Sequence, residues 1–147
     1  MRQEEINIID YGHYTLRTHY CRIQFKQGGV LILTQNNIIS DIIELKQYCR
    51  EKDLEICVLK IYKSVSLLVL CVCRSPSGDF AYFLTQIVKI LIKLYKPSIR
   101  IILGGDFNIN FLDPTHGHLI SNPFYRHSVW KVLLNFLRES RPPLKQQ

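Results

Sequence analysis

The sequence predicts an α/β domain, and three observations carry that prediction. A run of ten uncharged residues, "SVSLLVLCVC" (64–73), has the continuous apolar character of a strand covered on both faces. After it, Phe83, Leu84, Ile87, Val88, Leu91, Leu94 and Tyr95 recur at the i, i+3, i+4 spacing of an amphipathic helix. A second apolar run, "SIRIILGG" (98–105), then ends in the polar tip "DFNIN". Strands, a helix, and a further strand in that order are an α/β pattern.

In chain order, the first periodic segment is "YCRIQF", where Cys21, Ile23 and Phe25 alternate with Arg22 and Gln24. "KQGG" follows as a turn, with Gly28 and Gly29 supplying positive φ, and "VLILT" returns as the second arm of a hairpin. "SDIIELKQYCREKD" admits a short helix, because Ile42, Leu45 and Cys49 would share one helical face. "EICVLKIYK" and "SVSLLVLCVC" are the expected central strands. "RSPSGD" breaks the pattern, Asp79 is the expected N-cap, and Pro97 stops the helix. "SIRIILGG" is the last strand before a breaker-rich loop, "DFNINFLDPTHGHLISNPFYRH". Ser128 is placed to cap a final helix carrying Val129, Leu133, Phe136 and Leu137, and "ESRPPLKQQ" reads as a frayed tail.

A chain of 147 residues is long enough for one domain with a real core, and 47% apolar residues argue against disorder. No internal repeat or linker divides it, so the expected layout is one domain over 1–138 and a flexible tail over 139–147. A formal charge of +7 points to an acidic partner, nucleic acid being the commonest. The five cysteines (Cys21, Cys49, Cys57, Cys71 and Cys73) form no recurring C-x-x-C and read as buried or semi-buried thiols of a reducing compartment. The uncharged stretch near the middle, "SVSLLVLCVC", is about half of the ~20 residues a membrane helix needs, and "MRQEEINIID" lacks the apolar core of a secretory signal. The expectation is a soluble intracellular protein, nuclear or cytoplasmic, with no membrane association.

Polar groups cluster where the strands end. Two residues apart in extended chain, Asp106 and Asn108 face the same way while Phe107 points into the core. A carboxylate and a carboxamide so placed can hold a water, a hard cation or a phosphate oxygen. The plainer alternative is a strand-end Asx turn that serves only the local backbone. Arg74, at the end of the preceding strand, is a candidate for the same surface. Glu51 and Glu55 read as solvent-facing acids beside Lys52 and Lys60, and Asp113, His116 and His118 as members of a solvated loop.

"VLCVCRSPSGDFAYFL", an amphipathic helix and "IRIILGGDFNINFL", taken together, resemble the endonuclease/exonuclease/phosphatase superfamily. Within it, the chain is similar to the apurinic-type endonuclease domain of LINE (non-LTR) retrotransposons, over about residues 12 to 138. The family pattern is a Tyr-Arg-x-Pro segment, a helix, and Gly-Asp-Phe-Asn. "HYCRIQFKQGGVLIL" and "YCREKDLEICVLKIY" fit the same series of segments. The resemblance implies a partial α/β sandwich of mixed, largely antiparallel strands with packed helices. It also implies a DNA phosphodiesterase dependent on Mg²⁺ or Mn²⁺. Asp106 would position or deprotonate the attacking water, Asn108 would hold the scissile phosphate, and Arg74 would contact phosphate. Cys73 falls where the family has its tyrosine, and a thiol cannot reproduce a phenol's reach. The family's metal-binding glutamate, an early asparagine and a late Asp-His pair have no evident counterpart, so the expected domain is incomplete at both ends. A catalytically inactive remnant, binding nucleic acid weakly or serving as an interaction module, is the alternative.

Overall fold

The computed structural model describes Glu4, Ile6 and residues 10–108. The expected final helix, the loop holding Asp113, His116 and His118, the tail over 139–147 and the domain limit at 138 lie outside the described residues.

Among the described residues the elements run in the order β1 (Tyr14–Tyr20), β2 (Val30–Gln35), β3 (Ser40–Ile43), β4 (Glu55–Ile61), β5 (Ser66–Cys73), α1 (Phe80–Leu94) and β6 (Ile99–Asp106). β1 and β2 pair antiparallel as a two-stranded sheet, with an irregularity between Leu16 and Thr18. The other four strands form a sheet of order β3-β4-β5-β6, antiparallel except for the β5–β6 pair. The chain is therefore mixed α/β. α1 is the crossover that a parallel pair requires, since no tight turn can return the chain in the same direction.

β4 and β5 are central and covered on both faces, as their apolar runs predict. Ile56 and Val58 of β4, with Leu68, Leu70 and Val72 of β5, pack against Phe80, Phe83, Ile87, Ile90, Leu91 and Leu94 of α1. The alternate residues Cys57 and Leu59 face the other way, onto Val30 and Ile32 of β2. The Asp79 side chain accepts the Tyr82 N–H at 2.9 Å, so it caps α1 as expected. Among the described residues no helix is long and apolar enough to cross a membrane.

Two expectations are corrected. The first hairpin arm is Tyr14–Tyr20, not the alternating stretch 21–25. Ile23 is 94% exposed, so that alternation marks no core face. The main chain of the stretch is held by side chains instead of a ladder: the Glu51 carboxylate accepts from Ile23 N at 2.7 Å and from Gln24 N. Gly28 and Gly29 do take positive φ, at 116° and 110°, and a Cβ on Gly28 would fall within the Arg22 guanidinium. The possible helix after Ser40 is also not one. Its start is the edge strand β3, paired through Asp41↔Lys60 and Ile42↔Leu59, and a 3₁₀ turn follows over Lys46–Tyr48. Leu45 is buried but Ile42 is 49% exposed, so the inferred helical face splits between core and solvent.

Candidate functional site

The β5–β6 register brings the two motif segments together. Cys73, the last residue of β5, is paired with Asp106, the last of β6. Arg74 N then donates to Asp106 O at 2.9 Å. The approach depends on Gly105, whose φ is +138° and where a Cβ would lie 1.9 Å from the Val72 carbonyl oxygen. Any side chain there would push the β6 tip off β5. This explains the glycine before the aspartate as a requirement of close strand packing.

Arg74 is 1% exposed. Its Nε donates to Phe107 O at 3.0 Å, its Nη1 to Gly78 O at 2.7 Å, and its Nη2 to Asn108 O. Burial draws its pKa down from the ordinary value, although a guanidinium stays protonated in proteins. A cation so placed braces the exits of β5 and β6 by satisfying three carbonyls that no ladder reaches. The phosphate contact expected of Arg74 has no solvent-facing donor to make it in this arrangement.

Asn108 does not continue the extended alternation, because β6 ends at Asp106 and Asn108 takes φ 47°. Asparagine tolerates that left-handed conformation better than most residues. Its main-chain N–H reaches Asp106 Oδ1 at 3.2 Å, which is the Asx contact of the plainer alternative. Its Nδ2 spans 34 residues to donate to Arg74 O at 2.7 Å. Asn108 and Arg74 thus lock each other across the gap. Phe107 does point into the core, edge-on to Phe83 with ring centroids 6.1 Å apart. Asp106 itself is exposed, so its carboxylate remains available at the tip.

The row extends one strand further, because Glu55 is paired with Cys73. Reading Glu55 as a solvent-facing acid is overturned: it is fully buried. It accepts from Gly29 N at 2.7 Å, from Lys52 N at 2.9 Å and from Arg22 Nε. Arg22, itself nearly buried, also donates to Gln27 O and to Ser75 Oγ, the latter at 2.8 Å. This buried pair stitches the 21–29 loop to β4 and to the segment after Arg74. The signal for it was period two: Glu55 shares a strand face with Cys57 and Leu59, which is a core face. Glu51 likewise holds the loop. Desolvation pushes its pKa up, but the N–H bonds from Ile23 and Gln24 outweigh that and keep it below the ordinary value. Burial and then the negative charge of Glu55 push the Cys73 thiol up, so it stands neutral beside Asp106.

Among the described residues, no group of three His, Cys, Asp or Glu side chains is arranged to hold a metal ion. Glu55 already has three donors, which leaves Asp106 as the exposed acid of its row. The described residues therefore do not by themselves fit the Mg²⁺ or Mn²⁺ that the resemblance implies, since a hard cation of this kind takes several oxygen ligands. None of the five cysteines is in a disulfide; Cys57 is buried and the others are half-buried, as expected. In comparisons with family models, curated proteins and solved structures, nothing matches this chain.

Proposed function

We propose that this chain is a nuclease-type domain of the endonuclease/exonuclease/phosphatase kind, similar to LINE-element endonucleases, acting on the phosphodiester backbone of DNA. One observation carries the reading: the Arg-Ser-Pro and Gly-Asp-Phe-Asn segments, which start at Arg74 and Gly105, share one sheet tip at Cys73↔Asp106 with the Asp106 carboxylate exposed. The finer description of the fold, a partial α/β sandwich, is supported by the β1–β2 layer on the sheet face opposite α1. Asp106 is the residue that orients or deprotonates the attacking water. Asn108 and Arg74 hold the tip in place. Mg²⁺ or Mn²⁺ belongs to this reading as a requirement that the assay measures.

The test is nicking of supercoiled plasmid in Mg²⁺, with EDTA and Asp106→Ala as controls. Nicking that needs the cation and disappears in the alanine variant supports the reading. No nicking from a chain that melts cooperatively overturns it.

A second reading, a catalytically inactive remnant that binds nucleic acid weakly, draws on the same tip. A thiol stands in the tyrosine's place, and Arg74 and the Asn108 amide are both engaged with main chain. Binding through phosphates predicts affinity for a DNA duplex that falls steeply between low and high salt. Salt-independent binding, or none, counts against it.

A further inference from the structure

Two register positions from the Glu55–Cys73 pair and on the same sheet face, Cys57 of β4 is directly opposite Cys71 of β5. Neither is in a disulfide, and each thiol is the first influence on the other's proton affinity. We propose that Cys57 and Cys71 are a modification site: a dithiol that a peroxide converts into a cross-strand disulfide.

The geometry selects this pair among the five cysteines. Directly opposed residues of an antiparallel pair hold their Cβ atoms ~4.5–5.5 Å apart. A disulfide needs about 3.5–4.5 Å between Cβ atoms, so the strands have to close by roughly an ångström or less. Cys71 and Cys73 share a face of one strand and are separated by two rises of ~3.4 Å, too far along the strand for a bond. Cys57 and Cys73 are diagonal neighbours at ~7–8 Å. Cys49 belongs to the opposite core, its Sγ bonded to Leu45 O and Ile56 O.

The two thiols also differ in the way the chemistry requires. Cys57 is 5% exposed beneath β2, whereas Cys71 is only half-buried. Across from Cys71 on β6 is Gly104, where even an added methyl would meet nothing within 4 Å. A small oxidant therefore reaches Cys71 first. The neighbouring Cys57 thiol draws the Cys71 pKa down, while Cys71 and then burial push the Cys57 thiol up. The Cys71 thiolate attacks one peroxide oxygen, the O–O bond breaks, and one water leaves after protonation, giving a sulfenic acid. The Cys57 sulfur then attacks the Cys71 sulfur, the S–O bond breaks, and the Cys57 proton departs with the hydroxide as a second water. The thiols lose two electrons in all, and the peroxide gains them. This inference does not depend on the nuclease reading.

The full chain, treated with hydrogen peroxide, is denatured, alkylated and digested without reduction for mass spectrometry. Alkylated cysteines should fall from five to three, with a linked Cys57–Cys71 peptide that dithiothreitol releases. In Cys57→Ala, the sulfenic acid at Cys71 should persist and be captured by dimedone. Five alkylated cysteines, a Cys71–Cys73 or intermolecular link, or Cys71 as sulfinic acid with Cys57 still alkylatable would each overturn the proposal. The wild-type measurement stands even if the alanine variant does not fold.

Discussion

The two faces of the four-stranded sheet are built on different physics. Towards α1 the core is apolar, from Leu54, Ile56 and Val58 to Phe83, Ile87 and Ile90, with the buried Arg74 at its end over the Phe80 ring. Towards β1 and β2 the core is smaller, and beside it stand Glu55, the Cys57–Cys71 pair and Cys73. The first face is held mainly by apolar burial, which is tolerant of direction. The second depends on a buried acid and a nearly buried base that are directional and fail abruptly if one partner is lost. The chemistry proposed for the second face thus rests on a scaffold stabilised by the first.

The contrast is broken most severely at Glu55. Replacing it by alanine leaves Arg22 with its charge buried and two main-chain N–H groups without acceptors. A loss of about 3–5 kcal/mol is expected, read from urea unfolding at neutral pH. A loss under about 1 kcal/mol would show that the pair is solvated, and the difference between the faces would collapse. On the α1 face, Ile90→Ala removes a fully buried side chain with no polar partner. The expected loss is ~2–5 kcal/mol, with Ile90→Val nearer ~1 kcal/mol. That grading with volume is what a packing face predicts, whereas Glu55→Gln should be costly despite its near-equal size.

The same contrast explains what the sequence made legible. β4, β5, α1 and β6 were readable because apolar spacing in one dimension reports burial against a neighbour, and Asp79 because a cap is local. β1, β3 and the loop 21–29 were not, since their main-chain bonds depend on partners far along the chain. Ile23 N answers to Glu51, 28 residues away, and Arg22 to Glu55, 33 away. Within the site, the placement of Arg74 and Asp106 at strand ends was legible from strand order. The occupation of Arg74 by three carbonyls was not, because residue type gives charge but not orientation.

A smaller effect is expected at the Asp79 cap of α1. Asp79→Ala should cost ~1 kcal/mol near neutral pH. The Tyr82 N–H bond, and then Arg50, hold the Asp79 carboxyl below its ordinary pKa. A depressed folded-state pKa adds stability above the unfolded value and loses it as pH falls through the folded one. The gap between wild type and Asp79→Ala should therefore be constant above about pH 5 and narrow under acid, from the ordinary aspartate range of ~4 downwards. A gap that widens under acid would reverse the assignment.

The smallest effect on stability is expected at Asp106, although it is aligned with Glu55 and Cys73 across three strands. Glu55 is buried and bound by three donors, whereas Asp106 is exposed and takes one N–H, from Asn108 at 3.2 Å. Removing an exposed carboxylate of this kind should change unfolding free energy by no more than about 0.5 kcal/mol. The fold should survive, because the Asn108–Arg74 bonds that hold the tip do not use the Asp106 side chain. Loss of plasmid nicking in Asp106→Ala with an unchanged urea midpoint would then separate chemistry from stability at this row. A midpoint shift comparable to that of Glu55→Ala would place Asp106 among the structural acids, and its proposed role with water would fall with it.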